Sequence, residues 1–425
     1  MLSALRLRLA GMMFFEYAAW GAWMPILSGT LNDRHVPALY IGYVYGAFWL
    51  GNLISPFVGG QLADRKLASQ HFIAICNLLA AVAAFWMSVQ TDKLMLVIGM
   101  FIWSLFFTPC LGITNSITLQ QIDKEKIHQG TKLTESERER VFSILRMCGT
   151  AGWIVAAFVL YGFSLLIHSN VQGYHGPIPE MMLCGIYCVV MALHSLTLPN
   201  TPPNKDLKND PMAFREAFGL FRSVPGFSIF MFISFFAATE FMFFYNLSAQ
   251  FLESLNIQHI WVPIDKSISQ IMEVVALGVL LPLWLPKKGM RWCLLVGSFA
   301  WPLRYVIFAI GKPVWLVVLS LALHGFGYAF VIIVQQLYMD RVSPKDIRGS
   351  AQSLLNIITL GAGNVAGSIL CGVVQGHFTV NGQVNWVPVF LIPAVTTLAC
   401  AFAYMYTFRD SDVQKAALLQ EQAAG

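Results

Sequence analysis

The chain has 425 residues, of which 57% are hydrophobic and only 12% charged, with a formal net charge of +5. Soluble globular domains carry about 25% charged residues, so this composition excludes an ordinary soluble enzyme and points to an all-α polytopic membrane protein. The basic excess follows membrane topology and says nothing of nucleic acid, which is not expected as a partner.

Apolar runs of the roughly 20 residues needed to cross a ~30 Å hydrocarbon core lie near 7–28, 38–62, 71–90, 94–118, 142–167, 179–198, 225–252, 266–285, 291–310, 313–338, 350–374 and 387–408. They predict twelve transmembrane helices. The first run follows a basic start and passes into EYAAWGAWMPIL without a small-residue cleavage site, so it is expected to be a retained span and not a signal peptide. In it, Glu16, Trp20 and Trp23 stand at i, i+4 and i+7. Between the second and third spans, GGQLADRKLAS holds Gly60, which allows close helix approach, Asp64, which can accept from a helix N-terminus or an arginine, and Arg65. The fourth span carries Asn115 in LGITNSIT.

A polar insert, QIDKEKIHQGTKLTESERERV, precedes the fifth span; Thr134 and Glu137 have capping-box spacing and predict a short amphipathic cytoplasmic helix. In the fifth span, Arg146, Thr150 and Trp153 share one helical face, combining a fixed cation, a hydroxyl and an aromatic plate. The proline-rich segment LPNTPPNKDLKNDPM divides six spans from six. This predicts an N-terminal half at 1–198, a cytoplasmic linker at 199–224, a C-terminal half at 225–408 and a cytoplasmic tail at 409–425.

The seventh span carries Glu240, Tyr245 and Asn246; the last two are neighbours pointing different ways, so at most one faces a cavity. In the eighth, Gln270 and Glu273 at i and i+3 offer an amide and a carboxylate on one face. The loop LPKKGMRW that follows keeps basic residues but lacks an aspartate. Arg304 lies in the ninth span, and His324 and Tyr328 stand at i and i+4 in the tenth. Gly363-x-x-x-Gly367 in the eleventh predicts close helix packing.

An ionisable group at bilayer depth costs about 2.5–3.5 kcal/mol on insertion scales. Glu16, Arg146, Glu240, Glu273, Arg304 and His324 are therefore either structural ion pairs or functional groups. The expected counter-charge of Arg146 is Glu273 or Glu16. With both termini inside, the outer loops hold only Arg34, Lys93, Lys266 and Lys312, and the other basic residues outside the spans are cytoplasmic. The eight cysteines all lie in apolar spans, without a CxxC, and read as small buried residues. The nine histidines show no HExxH spacing and no Walker loop occurs. No catalytic set, metal or cofactor is expected.

The 6+6 plan with GGQLADRKLAS resembles the major facilitator superfamily, whose halves are related by an axis along the membrane normal. More specifically, FFEYAAWGAW, LGITNSI, RMCGTAGWI, SQIME, LRYVIF and LHGFGYAF, in this order, resemble the bacterial nucleoside:H⁺ symporter family. The resemblance implies a monomeric inner-membrane transporter, both termini cytoplasmic, that imports a nucleoside such as uridine or adenosine with a proton by alternating access. By matching motifs, Arg146, Thr150 and Trp153 would line the nucleoside cavity, with Gln270 and Glu273 bonding base or ribose, Tyr328 stacking or bonding, and Asn115 and Tyr245 as further contacts.

The sequence departs from the family pattern in two places. Met242 and Tyr245 stand where relatives often carry amides, and Ala329 stands where the pattern usually has an aspartate implicated in proton coupling. Coupling then falls to Glu16, Glu273 or His324, or the chain is an uncoupled facilitator, or the alanine replaces a natural aspartate. A major facilitator transporter of a sugar or other polar metabolite is the competing reading.

Overall fold

The computed structural model describes residues 4–65, 67–128, 134–169, 176–202, 213–344 and 347–411; side chains at 55–65, 125–128, 135, 136, 139, 213, 214 and 216 lie outside the described set. These residues are almost entirely helical. Their β structure is a hairpin pairing Thr379–Val380 with Gln383–Val384. Asn381 and Gly382 turn it with φ of 52° and 78°, the positive values a two-residue hairpin demands.

Among the described residues, eight helices are long and apolar enough to cross a membrane: Ser69–Ser88, Lys93–Lys124, Arg140–Leu166, Phe227–Ser254, His259–Ile310, Val314–Val342, Arg348–His377 and Trp386–Thr407. Ala38–Ile54 and Pro179–Ser195 are shorter apolar helices. Two physical causes separate this picture from twelve uniform spans. The first run is split into Ala4–Gly21 and Leu27–Asp33, because Pro25 between them has no N–H to donate. The eighth and ninth runs join into one helical stretch, His259–Ile310, of 52 residues. At 1.5 Å per residue a straight helix of that length would reach about 78 Å, more than twice the bilayer core. The chain instead turns at Gly289, where φ is 83°.

The loop at that turn was expected to lack an aspartate. One arrives from beyond the last helix: Asp410 Oδ1 accepts from the Arg291 amide at 3.0 Å, while the Arg291 guanidinium donates to the Met405 carbonyl at 2.6 Å. Gly60, Asp64 and Arg65 belong to the end of the Ala38–Arg65 helix, but their side chains lie outside the described residues.

The chain forms two compact units. The N-terminal unit comprises Met1–Val36, Leu50–Asn209 and Gln258–Ile264; the C-terminal unit comprises Pro37–Trp49, Asp210–Ile257 and Asp265–Gly425. The core of the first gathers Leu9, Met12, Met13, Phe72, Ile73, Ile117 and Leu145. That of the second gathers Phe227, Phe230, Leu294, Phe330, Tyr338 and Tyr404. Large apolar side chains also cover the outside: Leu166 is 74% exposed, Trp315 66% and Phe232 65%. Such a surface suits lipid and would aggregate in water.

Lipid is as apolar as leucine, so helices in a membrane are held less by apolar transfer than by close packing at small residues. Gly152 shows this in the first unit, since a Cβ there would strike the Phe14 carbonyl. The Gly363-x-x-x-Gly367 expectation is met in the second. A Cβ at Gly367 would strike the Thr239 backbone, and Thr239 Oγ1 donates to the Gly363 carbonyl at 3.2 Å.

The capping box forms: the Glu137 amide donates to Thr134 Oγ1 at 3.3 Å and the Thr134 amide donates to Glu137 Oε2 at 3.0 Å. It does not start a separate short helix. It opens one continuous helix, Glu135–Leu166, and Arg138 anchors that helix by donating to Asp123 at 2.9 Å. Thr134→Ala is expected to cost about 1 kcal/mol. The check is faster hydrogen exchange at the Glu137 amide, with Thr134→Ser restoring the wild-type rate.

Candidate functional site

In the N-terminal unit the predicted groups lie along the seam between Ala4–Gly21 and Glu135–Leu166. Gly152 and Gly149 remove side chains from that seam, so the aromatic residues of the first helix come onto the second. Arg146 places its guanidinium carbon 3.9 Å from the centre of the Tyr17 ring. One turn further on, Trp153 meets Trp20 edge to face at 5.2 Å. Arg146, Thr150 and Trp153 are all half-buried. Arg146 is thus steadied by the quadrupole of a ring, which leaves its N–H groups available to an acceptor.

Glu16 points elsewhere. It is fully buried and accepts a hydrogen bond from Asn77 Nδ2 at 3.3 Å, so within this unit it is not the counter-charge of Arg146. The Glu16, Trp20, Trp23 stripe divides accordingly. Trp20 packs on Trp153, whereas Trp23 is fully buried against Trp103 at 5.4 Å. Asn115 is half-buried, and its Oδ1 finds no hydrogen-bond partner among the described residues.

In the C-terminal unit the predicted residues come together. His324 is fully buried between two rings, 5.0 Å from Phe241 and 4.3 Å from Phe244 with interplanar angles of 26° and 24°. Its Nε2 lies 3.2 Å from the Tyr245 hydroxyl, and its Nδ1 lies 3.2 Å from Arg304 Nη1. Tyr245 in turn interacts with Gln270, Glu273 and Tyr328. The Tyr328 ring continues the stack, 6.5 Å from His324 and inclined by 29°. Gln270 is buried, while Glu273 and Tyr328 are half-buried and form the accessible side of the cluster.

Local backbone explains the gathering. Gly325 leaves room for the backbone of Met272 and Glu273, which a Cβ would strike, so His324 and Glu273 are carried on closely apposed segments. Widened π turns follow both, at Ala276–Leu280 and Tyr328–Ile333. Such turns recur at functional sites because they re-aim side chains within a helix.

Sequence reasoning did not foresee three of these features. Tyr17 was not singled out as the seat of Arg146, nor were Phe241 and Phe244 as the clamp on His324. Lys266, expected in an outer loop, is only 4% exposed and sits 5.0 Å from the Phe244 ring centre. The i, i+4 relation of Lys266 to Gln270 was the available signal for its inward face.

A lipid-compatible helical chain in two compact units, with polar and charged groups gathered inside each, defines a polytopic membrane transporter. Crystal structures of the nucleoside transporter NupG share the fold. An aspartate-to-alanine mutant superposes with a TM-score of 0.84 at 27% identity, covering 95% of this chain and all (100%) of that one. A second NupG structure gives 0.81 at 27% identity, covering 96% of this chain and 99% of that one. A D-xylose-proton symporter, at 13% identity and a TM-score of 0.68, shares the fold alone.

The family description "Nucleoside H+ symporter" matches residues 3–413, and the chain belongs to that family. In sequence it is similar to the nucleoside permease NupG of Escherichia coli (strain K12), 28% identical over 430 residues, covering 96% of this chain and 97% of the relative. It is also similar to the xanthosine permease of the same organism, 25% identical over 423 residues with 96% of each covered.

Proposed function

We propose that the chain imports nucleosides together with protons by alternating access, as a twelve-span inner-membrane transporter with a 6+6 layout. The observation that carries this reading is the family match over residues 3–413, joined to a NupG-like fold over nearly the whole chain. The halves are 1–198 and 225–408, the linker 199–224 and the tail 409–425 cytoplasmic, with both termini inside; the transporter acts as a monomer in the bilayer.

Each half contributes its own nucleoside-binding groups. Arg146, Thr150, Trp153 and Asn115 belong to the first; Tyr245, Gln270, Glu273 and Tyr328 belong to the second. Half-burial of Arg146, Thr150, Trp153, Glu273 and Tyr328 supports the assignment, since a ligand-binding group has to be reachable. A carboxylate and an amide complement sugar hydroxyls, and the rings offer an apolar face to a base. Of the three titratable groups, Glu16 and Glu273 are the proton carriers this reading favours. His324 already accepts from Arg304, so a proton on Nδ1 would break that bond and add charge beside a guanidinium.

The test is uptake of labelled uridine into proteoliposomes with and without an imposed proton gradient, with internal pH recorded. Accumulation driven by the gradient, with matching acidification, is expected. Equilibration without proton movement would make the chain a facilitator, and uptake of sugars but not nucleosides would overturn the substrate.

A further inference from the structure

Two helices of the C-terminal unit meet along a polar seam that the cluster around His324 does not use. On Phe227–Ser254, Thr239, Asn246 and Gln250 stand at i, i+7 and i+11. On Arg348–His377, Asn364, Ser368 and Gln375 stand at i, i+4 and i+11, so each set shares one helix face. Contacts at both ends join the two faces. Thr239 Oγ1 donates to the Gly363 carbonyl at 3.2 Å, and Gln375 Nε2 donates to Gln250 Oε1 at 2.6 Å. Within the seam, Asn246 and Asn364 are each 1% exposed and Ser368 is fully buried. Both amide atoms of Asn246, both of Asn364 and the Ser368 hydroxyl find no hydrogen-bond partner among the described residues. Buried polar groups left unpaired are costly, and groups that can both donate and accept are those that ordered water satisfies.

Glu240 borders this seam. It is 2% exposed and forms no ion pair among the described residues, where its Oε2 also finds no hydrogen-bond partner. The side chains that interact with it are Thr396 and three neutral titratable groups, Tyr305, Cys371 and Cys400. Cys371 follows Ser368 by three residues and so lies on the seam face of its own helix. Enclosing a carboxylate without a cation is costly, and uptake of a proton removes the charge. The backbone of Glu240 is also tied to the nucleoside cluster. The Tyr305 hydroxyl donates to the Glu240 carbonyl at 2.6 Å, and the adjacent Arg304 meets His324 at 3.2 Å.

We propose that Glu240 is a proton-binding site of the transporter, and that the seam between Phe227–Ser254 and Arg348–His377 is its proton path, with ordered water bridging Asn246, Ser368 and Asn364. With both termini inside, the end closed by Gln250 and Gln375 is the outer one, and protons enter there. In the uptake step a proton passes from water to a Glu240 carboxylate oxygen and the group becomes neutral; its release to water on the inner side restores the charge. This rests on the proton-coupled reading above and adds a third carboxyl to Glu16 and Glu273.

The experiment compares two modes of labelled uridine uptake by the full chain in proteoliposomes. Exchange at equal pH moves no net proton, whereas an imposed gradient of about one pH unit can drive accumulation of up to about tenfold for one proton per nucleoside. Wild type is expected to show both. Glu240→Gln, which cannot take up the proton, is expected to keep exchange and lose accumulation, and Glu240→Asp to regain it. Asn246→Leu and Ser368→Ala leave the carboxyl in place and interrupt the path. They are expected to slow gradient-driven uptake by roughly tenfold relative to exchange, the loss of one hydrogen-bonded link.

Accumulation at the wild-type level in Glu240→Gln overturns the site, and exchange lost in step with accumulation marks a structural acid and overturns it too. An unchanged ratio of gradient-driven uptake to exchange in both seam variants overturns the path. A wild-type chain that exchanges uridine without ever accumulating it overturns the proton-coupled reading itself, and this site with it.

Discussion

Exchange of labelled nucleoside across proteoliposomes is expected to fall by roughly tenfold to a hundredfold in Glu273→Gln and in Arg146→Ala, the loss associated with a hydrogen bond to a charged group. Glu273 is half-buried within the Tyr245, Gln270 and Tyr328 cluster and carries acceptor oxygens alone. Glutamine preserves its shape but removes the charge and replaces one acceptor oxygen with an N–H₂ donor. The defect should therefore be one of binding and exchange, with thermal unfolding of the purified protein little changed.

Arg146 is held on Tyr17 by a ring contact, and among the described residues it forms no ion pair. Truncation removes a half-buried cation without stranding a buried partner charge, so stability should again be nearly preserved. Arg146→Lys keeps the charge but loses the planar stack on Tyr17 and is expected to fall between wild type and alanine. Wild-type exchange in either Glu273→Gln or Arg146→Ala would remove that residue from the binding set.

The second large effect is on stability. Gly152→Val is expected to destabilise the N-terminal unit by about 3 kcal/mol, the upper range for overpacking a close contact. The new Cβ would fall on the Phe14 carbonyl, and backbone cannot move aside as a flexible side chain can. Prising the two helices apart would also spoil the Arg146–Tyr17 and Trp153–Trp20 contacts that sit on the same seam. Gly162 is the control: no neighbouring atom lies within 4 Å of a Cβ there, and Gly162→Ala should be neutral or slightly stabilising. Thermal unfolding in detergent, followed by tryptophan fluorescence, separates the two. A Gly152→Val protein as stable as Gly162→Ala would show that the seam tolerates separation.

Helical spacing made part of the site legible. Gln270 and Glu273, and His324 and Tyr328, are close within their own segments, and residues three or four apart share a helix face wherever the helix lies. The capping box at Thr134 and the small-residue packing at Gly363 and Gly367 were legible for the same reason, since each depends on a few local residues. Spacing could not show that Arg304 bonds His324 or that His324 bonds Tyr245, separated by 20 and 79 residues. Those pairings depend on which helices are neighbours and how each is rotated.

Repeated apolar runs demand a bilayer, and a bilayer demands that backbone groups be satisfied within helices, so the solvent and the material of this protein are written in the chain. The expensive groups are legible there too, because a buried arginine or glutamate is conspicuous against an apolar background. What each of them meets depends on how the helices pack. Arg146 rests on an aromatic ring, Glu16 turns to Asn77, and Arg304 orients a histidine and through it a tyrosine. The reason is physical. Composition and period are properties of one helix, whereas the partner of a buried charge is chosen by packing between helices, where one glycine such as Gly325 decides how closely two backbones approach.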